Sequence, residues 1–103
     1  MNLDIFKSEL TVVILCGGKG LRLRPITKNI PKPLVKINNK SILEHIIQYF
    51  LKFKIKNFII ATGYKNKLID KFVAEKFNNK NIKLIYTGLN SDIIKRLQKC
   101  SQY

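Results

Sequence analysis

A glycine-rich turn directly after an apolar strand is the feature that most constrains the fold of this chain. The run Thr11–Leu15 predicts a strand that is buried on both faces. Gly17, Gly18 and Gly20 follow it, and glycine lets a backbone come close to a ligand. Successive N–H groups in such a turn form a concavity that binds anions. Five cations lie within fourteen residues: Lys19, Arg22, Arg24, Lys28 and Lys32. The combination predicts a binding site for phosphate groups.

The rest of the chain alternates between helix and strand patterns. Ser41 and Glu44 form a capping box before a helix whose apolar residues recur with a period of 3.6. We expect strands at 58–61 and 82–86, a second helix at 66–77 and a third helix capped by Ser91. This β-α-β-α-β-α order predicts an α/β fold, a Rossmann-like three-layer structure around a parallel sheet. The simplest winding puts the second strand between the first and the third.

Loops that contain glycine follow all three predicted strands. The first loop, 16–33, is long, and its three prolines argue against a helix. An extended segment at 34–37 and a turn at Asn38-Asn39 follow it. Because ligands bind beyond the carboxyl ends of strands in open α/β sheets, we expect the three loops to form one nucleotide-binding edge. The candidate nucleotide-binding residues are Gly17, Gly18, Gly20, Gly63 and Gly88.

The stretch from Cys16 to Leu34 resembles the signature of the sugar-1-phosphate nucleotidylyltransferases. The matching positions are Gly17, Gly18, Gly20, Arg22, Leu23, Pro25, Thr27 and the run Pro31–Leu34. The segment Ser41–His45 is also similar to the family, so the resemblance is specific over about residues 11–65. Leu21 departs from the signature, because the family usually has a threonine whose hydroxyl lies near the phosphates.

The resemblance implies a nucleotide-diphospho-sugar transferase fold, of which this chain is the N-terminal part. The implied enzyme joins an NTP to a sugar 1-phosphate, which gives an NDP-sugar and pyrophosphate. Two catalytic residues follow from the motif: Arg22 would bind the leaving pyrophosphate, and Lys32 would neutralise charge at the α-phosphate. For Lys19, Arg24 and Lys28, a solvated surface position is the favoured interpretation.

The family also uses Mg²⁺, and we expect its ligands to lie outside this chain. Asp70 and Asp92 fall within predicted helices rather than after strands, so no metal-binding residue is assigned. Because family members are longer, we expect residues 1–103 to be a single domain truncated at its C-terminus. The alternative function is a non-catalytic nucleotide-binding regulatory module or an inactive fragment. Expected partners are NTP and sugar 1-phosphate, together with self-association or a complementing C-terminal segment.

The net charge of +14 raises the question of a polyanionic partner. Lysine supplies 17 of the 20 basic residues, whereas arginine would be expected to lead in recognition of nucleic acid. We therefore favour compositional bias and expect no nucleic-acid partner.

No apolar run approaches the roughly 20 residues that span a bilayer. Cys16 and Cys100 lack the spacing of a metal site or a disulfide scaffold. These features predict a cytoplasmic protein with reduced thiols and no membrane partner.

Overall fold

Strands and helices alternate along the described part of the chain. A computed structural model of the protein describes residues 10–18, 29–88 and 98–101. In chain order its elements are β1 (Thr11–Cys16), a 3-10 helix (Lys32–Leu34), β2 (Lys36–Ile37), β3 (Lys40–Ser41), α1 (Ile42–Lys52), β4 (Asn57–Thr62), α2 (Asn66–Lys76) and β5 (Asn81–Tyr86). Residues 98–100 are also helical, and the rest of the predicted third helix lies outside the described residues.

The main sheet is parallel and has the strand order β1-β4-β5. The register is without offset, since Thr11 pairs with Asn57 and Asn57 pairs with Asn81. Both predictions, the parallel sheet and the central position of the second strand, are confirmed. The strands are slightly longer than the sequence indicated, because β1 includes Cys16 and β4 extends by one residue at each end.

Helices α1 and α2 cover one face of this sheet. Alternate residues of a strand point to the same face, so Ile14 of β1 lies in one cluster with Phe58 and Ile60 of β4. The helices bury their apolar stripes against these residues. The buried helical members of this cluster are Leu43, Ile47, Ile69 and Val73.

The opposite face is built from the intervening residues of the same strands. Ile59 and Ala61 of β4 pack against Cys100, which the helical residues 98–100 bring to this face. Val13 and Leu15 of β1 point to the same side as these residues, but each remains almost two-fifths exposed. The apolar side of β1 is therefore only partly covered.

The start of α1 agrees with the predicted N-cap at Ser41. The backbone N–H of Glu44 donates to Oγ of Ser41 at 3.0 Å, which satisfies one of the four N–H groups that a helix leaves free at its start.

Helix α2 ends one residue earlier than expected, because Phe77 leaves the helical conformation at its C-cap. Among the described residues, no helix is both long enough and apolar enough to cross a membrane.

The segment before α1 differs from the sequence-based expectation in two ways. Lys32–Leu34 form one turn of 3-10 helix, although prolines argued against a helix in this loop. Proline is tolerated there because the N–H it lacks has no partner in a first turn. The expected extended segment is shorter, and its strand β2 pairs with β3 in an antiparallel hairpin. Asn38 and Asn39 both have positive φ, the geometry that two-residue hairpin turns favour.

We predict that the chain associates with itself through β1. Within the described residues β1 pairs only with β4, and edge strands without charged residues invite pairing with another chain. Leu15→Lys, which puts a charge on the partly exposed side of β1, should shift the sedimentation coefficient toward that of the monomer. Ile37→Lys is the matched control, because Ile37 is an exposed apolar residue of the β2–β3 hairpin. Monomeric wild-type protein with a sharp cooperative melt above about 60 °C would contradict the prediction.

Candidate functional site

The three strand ends meet at Gly63. A Cβ atom added to Gly63 would lie 2.6 Å from the carbonyl oxygen of Gly88 and 3.0 Å from that of Gly17. The backbone N–H of Tyr64 also donates to the Gly17 oxygen at 3.3 Å. The structure thus brings together Gly17, Gly63 and Gly88, one from each loop at the carboxyl edge of the sheet. Gly63 leaves no room for a side chain because the backbone passes on both sides of it.

Two buried threonines hold the ends of β4 and β5 together. Thr87 donates to the carbonyl oxygen of Thr62 twice, from its backbone N–H at 2.8 Å and from Oγ1 at 3.0 Å. Oγ1 of Thr62 donates to the carbonyl oxygen of Ile85 at 3.4 Å. Both threonines are almost completely buried. The ladder of hydrogen bonds therefore continues past the strands and fixes the loops that carry Gly63 and Gly88.

Sequence analysis missed these threonines. A signal was present, because a Thr-Gly pair ends both apolar runs, as Thr62-Gly63 and as Thr87-Gly88. Lys99 also contacts this edge, and no sequence pattern pointed to it. Its Nζ donates to the carbonyl oxygen of Thr87 at 3.1 Å. That bond connects the helical residues 98–100 to the carboxyl edge.

The amino end of α2 lies at the same edge. Lys65 occupies its N-cap position in a left-handed conformation, and no side chain caps the first turn. The first turn of α2 also contains no acidic residue. The N–H groups of Asn66 and Leu68 in this turn already donate to the carbonyl oxygens of Gly63 and Lys65, each at 3.1 Å, so the helix end favours anions through the positive end of its dipole.

The structure describes some of the predicted site residues and not others. Gly18 is exposed, and an added Cβ would meet nothing within 4 Å. Lys32 is exposed at the start of the 3-10 helix, between the buried Pro31 and the half-buried Leu34. Among the described residues, none of the contacts at the glycine edge includes Lys32. Gly20 and Arg22 lie outside the described residues, as do the other loop cations Lys19, Arg24 and Lys28.

Burial shifts the pKa of two further titratable groups, and a third group is tied to another part of the fold. Burial raises the pKa of the Cys16 thiol to about 12, so the thiol is neutral at physiological pH. Burial also raises the pKa of Asp70 in α2, which disfavours the charged carboxylate. His45 is tied to the β2–β3 hairpin, where its Nε2 lies 2.6 Å from the carbonyl oxygen of Ile37. In residues 10–18, 29–88 and 98–101, no three His, Cys, Asp or Glu side chains are grouped so as to hold a metal ion.

A pocket of about 370 Å³ lies away from this edge, between the helices and the segment before α1. Its lining includes Ile30, Leu34, Leu68 and Phe72, and it is mainly apolar. None of the candidate glycines contributes to it. The candidate site is therefore defined by the contacts of the glycine loops and not by this pocket.

Comparison with known proteins identifies relatives over most of the chain. A sequence model of the family described as Nucleotidyl transferase matches residues 11–95. A D-glycero-alpha-D-manno-heptose 1-phosphate guanylyltransferase of Campylobacter jejuni is 43% identical over 74 residues, which are 72% of this chain and 34% of the relative. A probable glucose-1-phosphate cytidylyltransferase of Bacillus subtilis is 43% identical over 66 residues, 64% of this chain and 26% of the relative.

A solved structure shares the fold. HddC from Yersinia pseudotuberculosis, in a crystal structure complexed with GMP-PN, superimposes with a TM-score of 0.76 at 28% identity. The match covers 90% of this chain and 42% of that protein. The chain thus spans about a third or less of the length of the two sequence relatives, and less than half of the solved structure.

We predict that Gly63→Ala destabilises the protein by about 1–3 kcal/mol, the usual cost of forcing extra atoms into a packed site. The new Cβ cannot be accommodated without moving the backbone of Gly88 or Gly17. Gly18→Ala is the matched control from the same edge and should change the free energy of unfolding by less than about 0.5 kcal/mol. Urea denaturation of the two variants measures the difference. Equal effects would mean that the three loops do not meet at Gly63.

A second prediction concerns Cys16. Its pKa is near 12 when folded and near the ordinary value of 9.0 when unfolded, so the unfolded chain loses the proton first as pH rises. The contribution of Cys16 to stability is therefore complete below about pH 9 and is lost between about pH 9 and 12. The free energy of unfolding should fall more steeply over this range in the wild type than in Cys16→Ala. Parallel slopes would show that the thiol ionises equally in both states.

Proposed function

This chain belongs to the nucleotidyl transferase family, and from that premise we propose that it forms the nucleotide-phosphate-binding part of a sugar-1-phosphate nucleotidylyltransferase. The observation that carries the proposal is the meeting of Gly17, Gly63 and Gly88 at the carboxyl edge of the sheet. This is the edge at which open α/β sheets bind their ligands. The uncapped amino end of α2 adds positive potential there.

The proposed reaction is an in-line displacement at the α-phosphorus of an NTP. A phosphate oxygen of the sugar 1-phosphate attacks, the bond to the β-phosphate oxygen breaks, and pyrophosphate leaves. Such chemistry depends mainly on positioning and on neutralising the charge that develops in the transition state. The N–H groups of the loop containing Gly17, Gly18 and Gly20 would hold the phosphates of the nucleotide.

Two cations complete the proposed site. Arg22 would bind the leaving pyrophosphate, because its planar guanidinium can donate two parallel hydrogen bonds to phosphate oxygens. Lys32 would neutralise charge at the α-phosphate, and its backbone lies in a 3-10 turn directly after the buried Pro31. Both roles are proposed because the motif that contains Arg22 and Lys32 resembles the family signature. The family model that matches residues 11–95 supports this resemblance.

The substrates proposed are an NTP and a sugar 1-phosphate. The names of the two sequence relatives describe transfer of guanylyl or cytidylyl groups to heptose 1-phosphate or glucose 1-phosphate, and the solved relative was crystallised with GMP-PN. Mg²⁺ stays an expectation from the resemblance, with ligands expected outside this chain. The proposal includes a cytoplasmic location, which the two free and buried thiols support.

Exchange of radiolabelled pyrophosphate into NTP by a nucleotidyl transferase that contains this chain, with Mg²⁺ in the buffer, tests the proposal. We expect exchange with at least one of the four NTPs when a sugar 1-phosphate or its NDP-sugar is present. Nucleotide binding by calorimetry without exchange would instead support the non-catalytic alternative. Absence of both binding and exchange would overturn the proposal for this chain.

In a nucleotidyl transferase that contains this chain, Arg22→Ala and Lys32→Ala should each lower kcat by roughly 10²- to 10³-fold, the scale for removal of one charge-stabilising donor. Arg24→Ala is the matched control from the same loop and should lower kcat only slightly. Steady-state kinetics of the three variants measure the effects. Similar losses at all three positions would indicate a diffuse basic patch and would contradict the assigned roles.

A further inference from the structure

A groove at the amino edge of the sheet, opposite the glycine loops, has the chemistry of an anion-binding site. We propose that this amino-edge groove binds linear oligophosphates, in which several phosphates follow one another in a chain. The groove lies between the turn that follows α1 and the turn that follows α2, and its volume is about 560 Å³. Its polar lining consists of Lys54, Lys56 and Lys80 together with Asn57, Asn79 and Asn81.

The groove is a second site and not an extension of the glycine edge. Asn57 and Asn81 are the first residues of β4 and β5, whereas Gly63 and Gly88 follow the last residues of these strands. Six residues at about 3.3 Å each separate the two edges by roughly 17–20 Å. A ligand in the groove therefore does not overlap a nucleotide at the glycine loops.

Hydrogen bonds hold the two sides of the groove in place. Nδ2 of Asn81 donates to Oδ1 of Asn57 at 2.6 Å, which joins the first residues of the two strands. The backbone N–H of Lys54 donates to the carbonyl oxygen of Leu51 at 3.0 Å, and that of Lys80 donates to the oxygen of Phe77 at 3.0 Å. These bonds close both turns. Lys54 and Lys80 therefore project from fixed backbone positions, which lowers the entropy lost when they bind a ligand.

The described lining of the groove contains basic residues and no acidic ones. Helices α1 and α2 both end at this edge, and each C-terminus contributes roughly half a negative charge. Lys52 and Lys76 lie in the last turns of these helices and offset that effect. No acidic residue contributes to the described lining. Lys56 and Lys80, which are both exposed, thus give the described lining a positive charge.

The lining favours oligophosphates over nucleic acid. The polar groups are ammonium and amide groups, which recognise phosphate oxygens as point charges and hydrogen-bond donors. Proteins that bind single strands usually add aromatic side chains on which bases stack. The described lining contains no aromatic residue, and its only apolar member is Leu51. The groove therefore fits a chain of phosphates without bases.

Titration of the whole chain with tripolyphosphate and with a longer polyphosphate tests the proposal. We expect binding that tightens with the length of the phosphate chain. The double variant Lys56→Gln, Lys80→Gln should raise Kd on the order of tenfold and lower the slope of log Kd against log salt by about two, one for each lysine. Lys67→Gln, Lys71→Gln is the matched control, since both are exposed lysines of α2 with the same total charge. Equal weakening in both double variants would show diffuse attraction and overturn the proposal.

Chemical footprinting of the wild-type chain gives a result that does not depend on variants. Tripolyphosphate should protect Lys56 and Lys80 from acetylation more than it protects Lys67 and Lys71, as measured by mass spectrometry of peptides. Uniform protection would overturn the proposal. A single-stranded oligouridylate that binds as tightly as polyphosphate at equal phosphate concentration would also overturn it, in favour of nucleic acid.

Discussion

Burial of β4 is the constraint on which the rest of the described structure depends. Five of its six residues are buried, and β1 and β5 pair with it on both sides. Phe58 and Ile60 face the helices, while Ile59 and Ala61 face Cys100. Burying a side chain of the size of Phe or Ile stabilises a fold by about 1.5–3 kcal/mol. β4 therefore contributes to the hydrophobic core on both faces of the sheet. Its first residue lies at the amino edge of the sheet and its last residue lies at the carboxyl edge.

The two edges have different chemistry because all three strands run in one direction. Each helix returns the chain against that direction, so α2 begins at the carboxyl edge and both helices end at the amino edge. Helix dipoles then favour anions at the glycine loops and cations at the opposite side. The lysines in the last turns of α1 and α2 follow this rule. The amino-edge groove contains three further lysines, Lys54, Lys56 and Lys80, beyond the two that offset the negative ends of the helix dipoles.

Much of the fold followed from local patterns whose physical cause acts over a few residues. The apolar runs, the capping box at Ser41 and the glycine turns each predicted an element that the structure contains. The hairpin of β2 and β3 did not follow, because strands of two residues leave no periodic signal. The 3-10 turn at Lys32–Leu34 was missed because prolines are compatible with the first turn of a helix as well as with extended chain.

The sequence predicted that the three glycine loops lie at one edge of the sheet, but not the contacts by which they meet there. The sequence by itself determined which residues lack side chains and where apolar runs end, since these depend on composition and spacing alone. Only the tertiary structure decided that Gly63 lies between Gly17 and Gly88 and that the hydroxyls of Thr62 and Thr87 close the edge. These contacts join residues at least 23 positions apart, and their geometry exists only when parallel pairing sets the register of β1, β4 and β5.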